Sequence, residues 1–172
     1  MIDVAKNPSD AVDKALDLFG NDILRLAYSY LKSREDAEDI VQETLIRMLQ
    51  SKPVFEDEKK EKSWLLQVAA NLCKDQLKSA GKRRVVALPE GYDVAVASEP
   101  EPEDNSEVLQ AVMALPEKYR SVIHLYYYEE YSTREIAEII GKKEATVRSL
   151  LKRGREKLEK QWKGESGHAK GI

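Results

Sequence analysis

Between residues 142 and 155 the chain carries Lys142, Lys143, Arg148, Lys152, Arg153 and Arg155, with the hydroxyl residues Thr146 and Ser149 among them. Cationic and hydroxyl side chains at this density suit one chemistry, the capture of phosphates and of guanine edges in a major groove. An isolated basic helix is more often an ordinary solvated face, so the weight falls on what precedes it. Ser132-Thr133-Arg134-Glu135 is a capping box that opens a short helix over 133–140. Counted from Thr133, Ala137 falls fifth, Gly141 ninth, Val147 fifteenth and Leu150 eighteenth. A close helix crossing needs the small residue, a tight turn needs the glycine, and the second helix needs the two apolar residues for its inward face. The pattern predicts a helix-turn-helix whose second helix turns its basic residues outward to DNA.

A second candidate surface reads WLLQVAANLCKDQLKSAGKRR over 64–84. Trp64, Leu65, Val68 and Leu72 form a stripe predicted to face inward, while Asn71, Asp75, Lys78 and then Lys82, Arg83 and Arg84 fall on or beyond another face. An amide, a tryptophan and a basic end suit unstacked single-stranded DNA, where stacking and backbone charge supply most of the affinity. A third surface is acidic: Glu35, Asp36, Glu38, Asp39 and Glu43 lie along one predicted helix with no histidine nearby. Metal ligands must converge from several elements, so the expectation is instead a face that docks on a basic protein surface. Ile40, Gln42 and Ile46 would add apolar and amide contacts to it. His124 is expected to be a partly buried helix residue, His168 a tail residue and Cys73 a small core side chain. With no nucleophile beside a base, no ligand set and no phosphate-binding glycine loop, the chain is expected to catalyse nothing and to need neither cofactor nor small-molecule substrate.

The elements that position these residues are bounded by composition. The 172 residues, 42% of them hydrophobic, make one or two small domains. One cysteine, no apolar stretch near Met1 and no apolar run approaching ~18 residues give the expectation of a reducing, cytoplasmic setting without membrane insertion. The formal net charge of -3 argues weakly against a nucleic-acid partner. Counted by segment it resolves into a pattern: 63–84 holds five basic residues and one acid, 142–172 ten and four, and 85–107 no basic residue and seven acids.

Apolar spacing and the start signals Ser9, Asn21 after Gly20, and Ser33 predict four helices before residue 84, the third over 34–50 and the fourth over 63–79. Between those two, 51–62 holds Pro53 and mixed charges and reads as a solvated loop. The stretch 85–107 has three prolines and no amphipathic period and reads as a flexible acidic linker. Helical spacing resumes with Val108, Val112 and Leu115, breaks at Pro116 and continues through Tyr119, Val122, Ile123, Tyr126 and Tyr127, and 163–172 reads as a frayed, disordered tail. The expected fold class is all-α, with two small helical domains over 1–84 and 108–162 joined by that linker.

At this point the chain resembles a bacterial RNA polymerase sigma factor of the group-4, extracytoplasmic-function type in the sigma-70 family. Asp36-Ala37-Glu38-Asp39-Ile40-Val41-Gln42-Glu43-Thr44 is similar to the family's region 2.2. Trp64-Leu65 and Ala70-Asn71-Leu72, with Arg83 and Arg84, resemble regions 2.3 and 2.4, and Leu115-Pro116-Glu117-Lys118-Tyr119-Arg120 with the helix-turn-helix resembles region 4. The resemblance implies that region 2.2 binds the clamp helices of the polymerase largest subunit, through Asp36, Glu38, Asp39, Ile40, Gln42, Glu43 and Ile46. It implies that Trp64, Asn71, Asp75, Lys78, Lys82, Arg83 and Arg84 open and read the -10 element, and that Lys142 to Arg155 read the -35 element. The beta-subunit flap and an anti-sigma factor are implied as further partners. The chain departs from the family at Leu150, where a basic residue is frequent, at Gly154, where alanine is common, and over 51–62, a loop that in the family helps hold an extruded -10 base.

A one-component helix-turn-helix regulator with an N-terminal dimerisation or sensor domain stands as the alternative, although it needs neither Asn71 nor the acidic helix. The linker adds an expectation. Twenty-three relaxed residues span roughly 26 Å, against about 85 Å between elements about 25 base pairs apart, so polymerase must splay the domains. Seven linker acids between two basic stretches would also mask those stretches from DNA in the free protein.

Overall fold

A computed structural model describes the backbone of residues 1–87 and 107–170 and the side chains of residues 1–80 and 107–161. Residues 88–106 of the expected linker lie outside the described residues. The described residues form seven α-helices and one short strand pair, in two units, Met1–Pro100 and Glu101–Ile172.

In the first unit α1 (Pro8–Leu31) starts at Asn7, whose side chain accepts from the Asp10 amide, with Pro8 in the first turn where a missing N–H costs nothing. The sequence predicts a break at Gly20, and there is none. Ala15, Phe19, Ile23, Leu26, Ala27 and Tyr30 keep one buried stripe through that point. Burying a single large side chain of this kind outweighs the ~1 kcal/mol that a helical glycine costs. Three helices therefore build this unit where four are expected. Lys32 closes α1 in the left-handed region at φ 58°, and α2 (Arg34–Ser51) opens on Ser33, whose hydroxyl accepts from the Asp36 amide.

The stretch 51–62, expected as a solvated loop, is structured. Val54–Phe55 (β2) pairs antiparallel with Ile2–Asp3 (β1), Ile2 opposite Phe55 and Asp3 opposite Val54. A 3-10 turn, Val4–Lys6, continues from β1, and the Val4 amide donates to the Pro53 carbonyl at 3.2 Å. Then α3 (Glu58–Ala87) begins five residues ahead of its expected start, because the Asp57 carboxylate accepts from the Lys60 amide at 2.9 Å and caps the helix there. Its buried face is Glu61, Leu65, Leu66, Ala69, Ala70 and Cys73, whereas Trp64, Val68 and Leu72 of the expected stripe are half-buried. A helix seated against both α1 and α2 needs a wide inward face, and small residues at 69, 70 and 73 let it approach.

The second unit comprises α4 (Glu107–Met113), α5 (Glu117–Ile123), α6 (Thr133–Ile140) and α7 (Glu144–Lys170), with α4, α5 and α6 all packed on α7. The turn at Pro116 is held by Arg120, a buried side chain whose Nη1 donates to the Leu115 carbonyl at 2.8 Å. After Ile123 the helix widens into a π-helical turn, His124–Tyr128, closed by the Glu129 amide on the His124 carbonyl. That widening shifts the phase, so Tyr126 and Tyr127, expected on the apolar stripe, are exposed with Tyr128 while Leu125 is buried. The capping box forms as expected: the Ser132 hydroxyl accepts from the Glu135 amide and the Ser132 amide donates to Glu135. Gly141 ends α6 at φ 70°. Helix α7 runs on to Lys170, through most of the stretch expected to fray.

Candidate nucleic-acid and protein-docking surfaces

Along α7 the buried positions are Val147, Leu151 and Gly154, a spacing that turns the opposite side to solvent. Thr146, Arg148, Ser149, Lys152, Arg153 and Arg155 are all exposed there, and Lys142 and Lys143 are exposed in the turn before the helix. Leu150, expected inward, is half-buried, and Leu151 fills the core instead. At Gly154 a Cβ would stand 2.7 Å from Ile123 Cδ1, so α5 and α7 approach closely there. Two partners of the basic residues carry information. Glu144 accepts from Thr133 Oγ1 at 2.9 Å and pairs with Arg148 Nη1 at 3.2 Å, tying the start of α7 to α6. Arg155 Nη1 donates to the Tyr127 hydroxyl at 3.3 Å. The first pair is readable from its four-residue spacing. The second spans 28 residues and leaves no local signal.

On α3, Trp64, Gln67, Asn71, Asp75 and Lys78 follow one stripe at intervals of three and four residues, all exposed except Trp64. Trp64 is half-buried, its ring edge-on to Phe55 at 5.7 Å between centroids. It stands at the margin of the core beside the amides, not inside it. Gln67 is a further exposed amide on this stripe, one that no motif marks in the sequence. The backbone of Lys82, Arg83 and Arg84 continues α3, and their side chains lie outside the described residues.

On α2, Asp39, Gln42 and Ile46 share an exposed stripe with Leu49, which helical spacing alone places inward. Ile46 and Leu49 are 44% and 42% exposed. Ile40, expected to add an apolar contact to that face, is 4% exposed and packs in the core with Ala37 and Thr44, three and four residues away, so its side chain does not stand on the exposed stripe. Asp36 is half-buried beside its cap. Glu38 pairs with Arg34 at 3.1 Å and Glu43 with Arg47 at 3.4 Å, both in solvent, so part of the acidic charge is screened within the helix.

The remaining reactive groups are inward. Cys73 is buried, and burial pushes its thiol up to about 12. His124 is half-buried with Nε2 3.4 Å from Glu129 Oε1 and its ring stacked on Tyr128. Glu61 is 4% exposed, and its pKa is raised first by burial and then by Glu58, with Lys14 opposing. Among the described residues no three of His, Cys, Asp and Glu gather as metal ligands, and no helix is long and apolar enough to cross a membrane.

Comparison with known proteins assigns both units. The family model "Sigma-70 region 2" matches residues 16–83 and "Sigma-70, region 4" matches residues 105–158. The ECF RNA polymerase sigma factor SigW of Bacillus subtilis is 35% identical, over 92% of each chain. SigM of the same organism, also an ECF RNA polymerase sigma factor, is 32% identical over 86% of this chain and 93% of its own. Among solved structures, the sigma factor RpoE from Bartonella quintana, crystallised with the anti-sigma factor NepR, shares the fold with a TM-score of 0.69 at 24% identity, covering 88% of this chain and 96% of that one. CnrH, solved with the cytosolic domain of CnrY, has a TM-score of 0.63 at 19% identity over 93% and 92%. The region 2 match occupies the part of the chain that a one-component regulator would give to a sensor, which removes that alternative. The two region models in order, and a relative this similar along nearly all of both chains, make this chain a member of the extracytoplasmic-function sigma factors of the sigma-70 family, which direct RNA polymerase to promoters.

Proposed function

We propose that the three surfaces divide promoter-directed initiation among them. Helix α2 docks on the clamp helices of the polymerase largest subunit through Asp39, Gln42, Ile46 and Leu49, flanked by Asp36, Glu38 and Glu43. Helix α3 captures the opened -10 strand through Trp64, Asn71, Asp75 and Lys78, with Lys82, Arg83 and Arg84 on the backbone beyond. Helix α7 reads the -35 duplex through Thr146, Arg148, Ser149, Lys152, Arg153 and Arg155, with Lys142 and Lys143 on phosphates. The second unit also meets the beta-subunit flap. An anti-sigma protein holds the chain inactive in the cytoplasm; the structural neighbour RpoE, crystallised with the anti-sigma factor NepR, supports a partner of that kind. The chain catalyses no reaction itself; polymerase supplies the chemistry.

The observation that carries this reading is the outward stripe of α2, where Ile46 and Leu49 stand exposed in the turns that follow Asp39 and Glu43. Exposed apolar anchors, more than charges at the margin, are what protein hot spots are made of. The test adds the purified chain to sigma-free core polymerase and measures core binding and run-off transcription from a supercoiled genomic library. Transcription from a restricted set of promoters, lost with core binding in Ile46→Glu, is expected. A chain that does not bind core, or an Ile46→Glu variant that binds as wild type does, would contradict the reading.

A further inference from the structure

The segment ahead of α1 is tied to the loop that leads into the proposed single-strand reader. Val4 is wholly buried, and its amide is bonded to the Pro53 carbonyl. The turn it opens, Val4–Lys6, packs on α1 and is capped by the Asp3 carboxylate, which accepts from the Ala5 amide at 3.1 Å. One residue back, β1 pairs with β2, and Ile2, opposite Phe55, lies on the same face of the ladder as that ring. Phe55 is 5% exposed and stands against Trp64. A continuous chain of contacts therefore runs from the core of α1 through Val4 and β1 to Phe55 and the Trp64 ring.

A ladder of two residue pairs adds little to global stability by itself. It does fix one loop. Without β1 the connection between α2 and α3 would keep only its helix ends and the Phe55 ring, and Phe55 would be free to leave Trp64. We propose that residues 2–6 form a positioning strap for the -10 reader: by holding β2 they press Phe55 against Trp64 and hold that indole at the angle on which an unpaired base stacks. This rests on the assignment of α3 to the -10 strand. The strap residues touch no DNA; they act through Phe55 and Trp64.

The test uses holoenzyme assembled from the full chain and sigma-free core. Ile2→Asp places a charge opposite Phe55, and Val4→Ser removes the buried anchor; Ile2 is only half-buried, so the first variant keeps the chain folded if the second does not. The readouts are core affinity, binding to a duplex carrying only the -35 element, and capture of a single-stranded -10 oligonucleotide. Capture is expected to fall about tenfold, the weight of one stacked base, with the other two unchanged. A cross-link supplies the rescue. The Val4 amide bond to Pro53 makes that pair a hydrogen-bonded one, so the neighbouring Asp3 and Val54 are a non-hydrogen-bonded pair, whose Cβ atoms come closest. Asp3→Cys with Val54→Cys, oxidised, should restore capture to Ile2→Asp, and reduction should remove it again. Buried Cys73, its thiol pushed up to about 12, stays out of the exchange. Normal capture by Ile2→Asp, a loss of core or -35 binding in step with it, or no rescue by the oxidised pair would overturn the strap. Trp64→Ala separates the two levels. If it too captures normally, the -10 assignment itself fails; if it loses capture while Ile2→Asp does not, only the strap fails.

Discussion

Helices α3 and α7 present opposite kinds of surface. On α7 and in the turn before it the candidate contacts are exposed and mostly cationic. On α3 the described contacts are a half-buried indole, two exposed amides, one acid and one lysine, and the ring packs edge-on to Phe55 of another element. The first surface fits a uniform polyanion with its bases stacked away. The described part of the second carries one lysine against one acid and offers a ring edge and amides, which suit bases already unpaired. On the proposed reading the same DNA is met in two physical states, as duplex by α7 and as opened strand by α3.

The largest expected effect lies on the α7 side. Replacing Lys152 and Arg153 by alanine should weaken holoenzyme binding to a -35 duplex by about a hundredfold at low salt. The slope of log K against log salt should flatten by about one unit for each phosphate no longer neutralised. Fluorescence anisotropy over a salt series reads both; an unchanged slope would take these residues off the phosphates. On the α3 side Asn71→Ala should slow promoter opening by about tenfold without altering that slope, as seen in permanganate reactivity of the -10 region.

Smaller effects contrast the two units through their glycines. Gly141 sits at φ 70°, so Gly141→Ala should cost about 1–2 kcal/mol in urea unfolding. Gly20 is helical, and the one close neighbour of an added Cβ is the Leu16 Cδ1 tip, on an exposed side chain free to move. Gly20→Ala should therefore stabilise the chain, by up to ~1 kcal/mol. Destabilisation there would mean that Leu16 is held in place.

The smallest effect belongs to Glu61. Burial and Glu58 raise its pKa in the folded chain, so the folded state binds this proton more tightly than the unfolded state, and stability falls as pH rises from the unfolded value through the folded one. Glu61→Gln should melt slightly higher than wild type at pH 7, and the advantage should disappear in acid, where both states hold the proton. A constant difference across pH would show a packing effect instead.

The second unit is largely legible in the sequence because its signals are local. Ser132 and Glu135 lie three residues apart, Gly141 marks its own turn, and the basic residues need only a helix to face outward. Arg155 on Tyr127 escapes, because the π-helical turn that swings Tyr127 outward has no fixed spacing. In the first unit the helices read over 34–50 and 63–79 are found as α2 and the middle of the longer α3, but their inner faces shift once three helices share one core: Ile40 goes inside, Leu49 outside and Trp64 to the margin. Gly20 misleads because propensity, at ~1 kcal/mol, loses to six buried apolar residues. Two-residue strands some 50 positions apart carry no period at all, so the ladder joining Ile2 and Phe55 is invisible to any local pattern.

The division of labour between the two helices is tested most directly by holoenzyme binding to an isolated single-stranded -10 oligonucleotide over a salt series, for wild type, Trp64→Ala and the Lys152→Ala/Arg153→Ala pair. Trp64→Ala is expected to bind about tenfold more weakly with the wild-type salt slope, and the α7 pair to bind as wild type does. Normal binding by Trp64→Ala together with weakened binding by the α7 pair would contradict it.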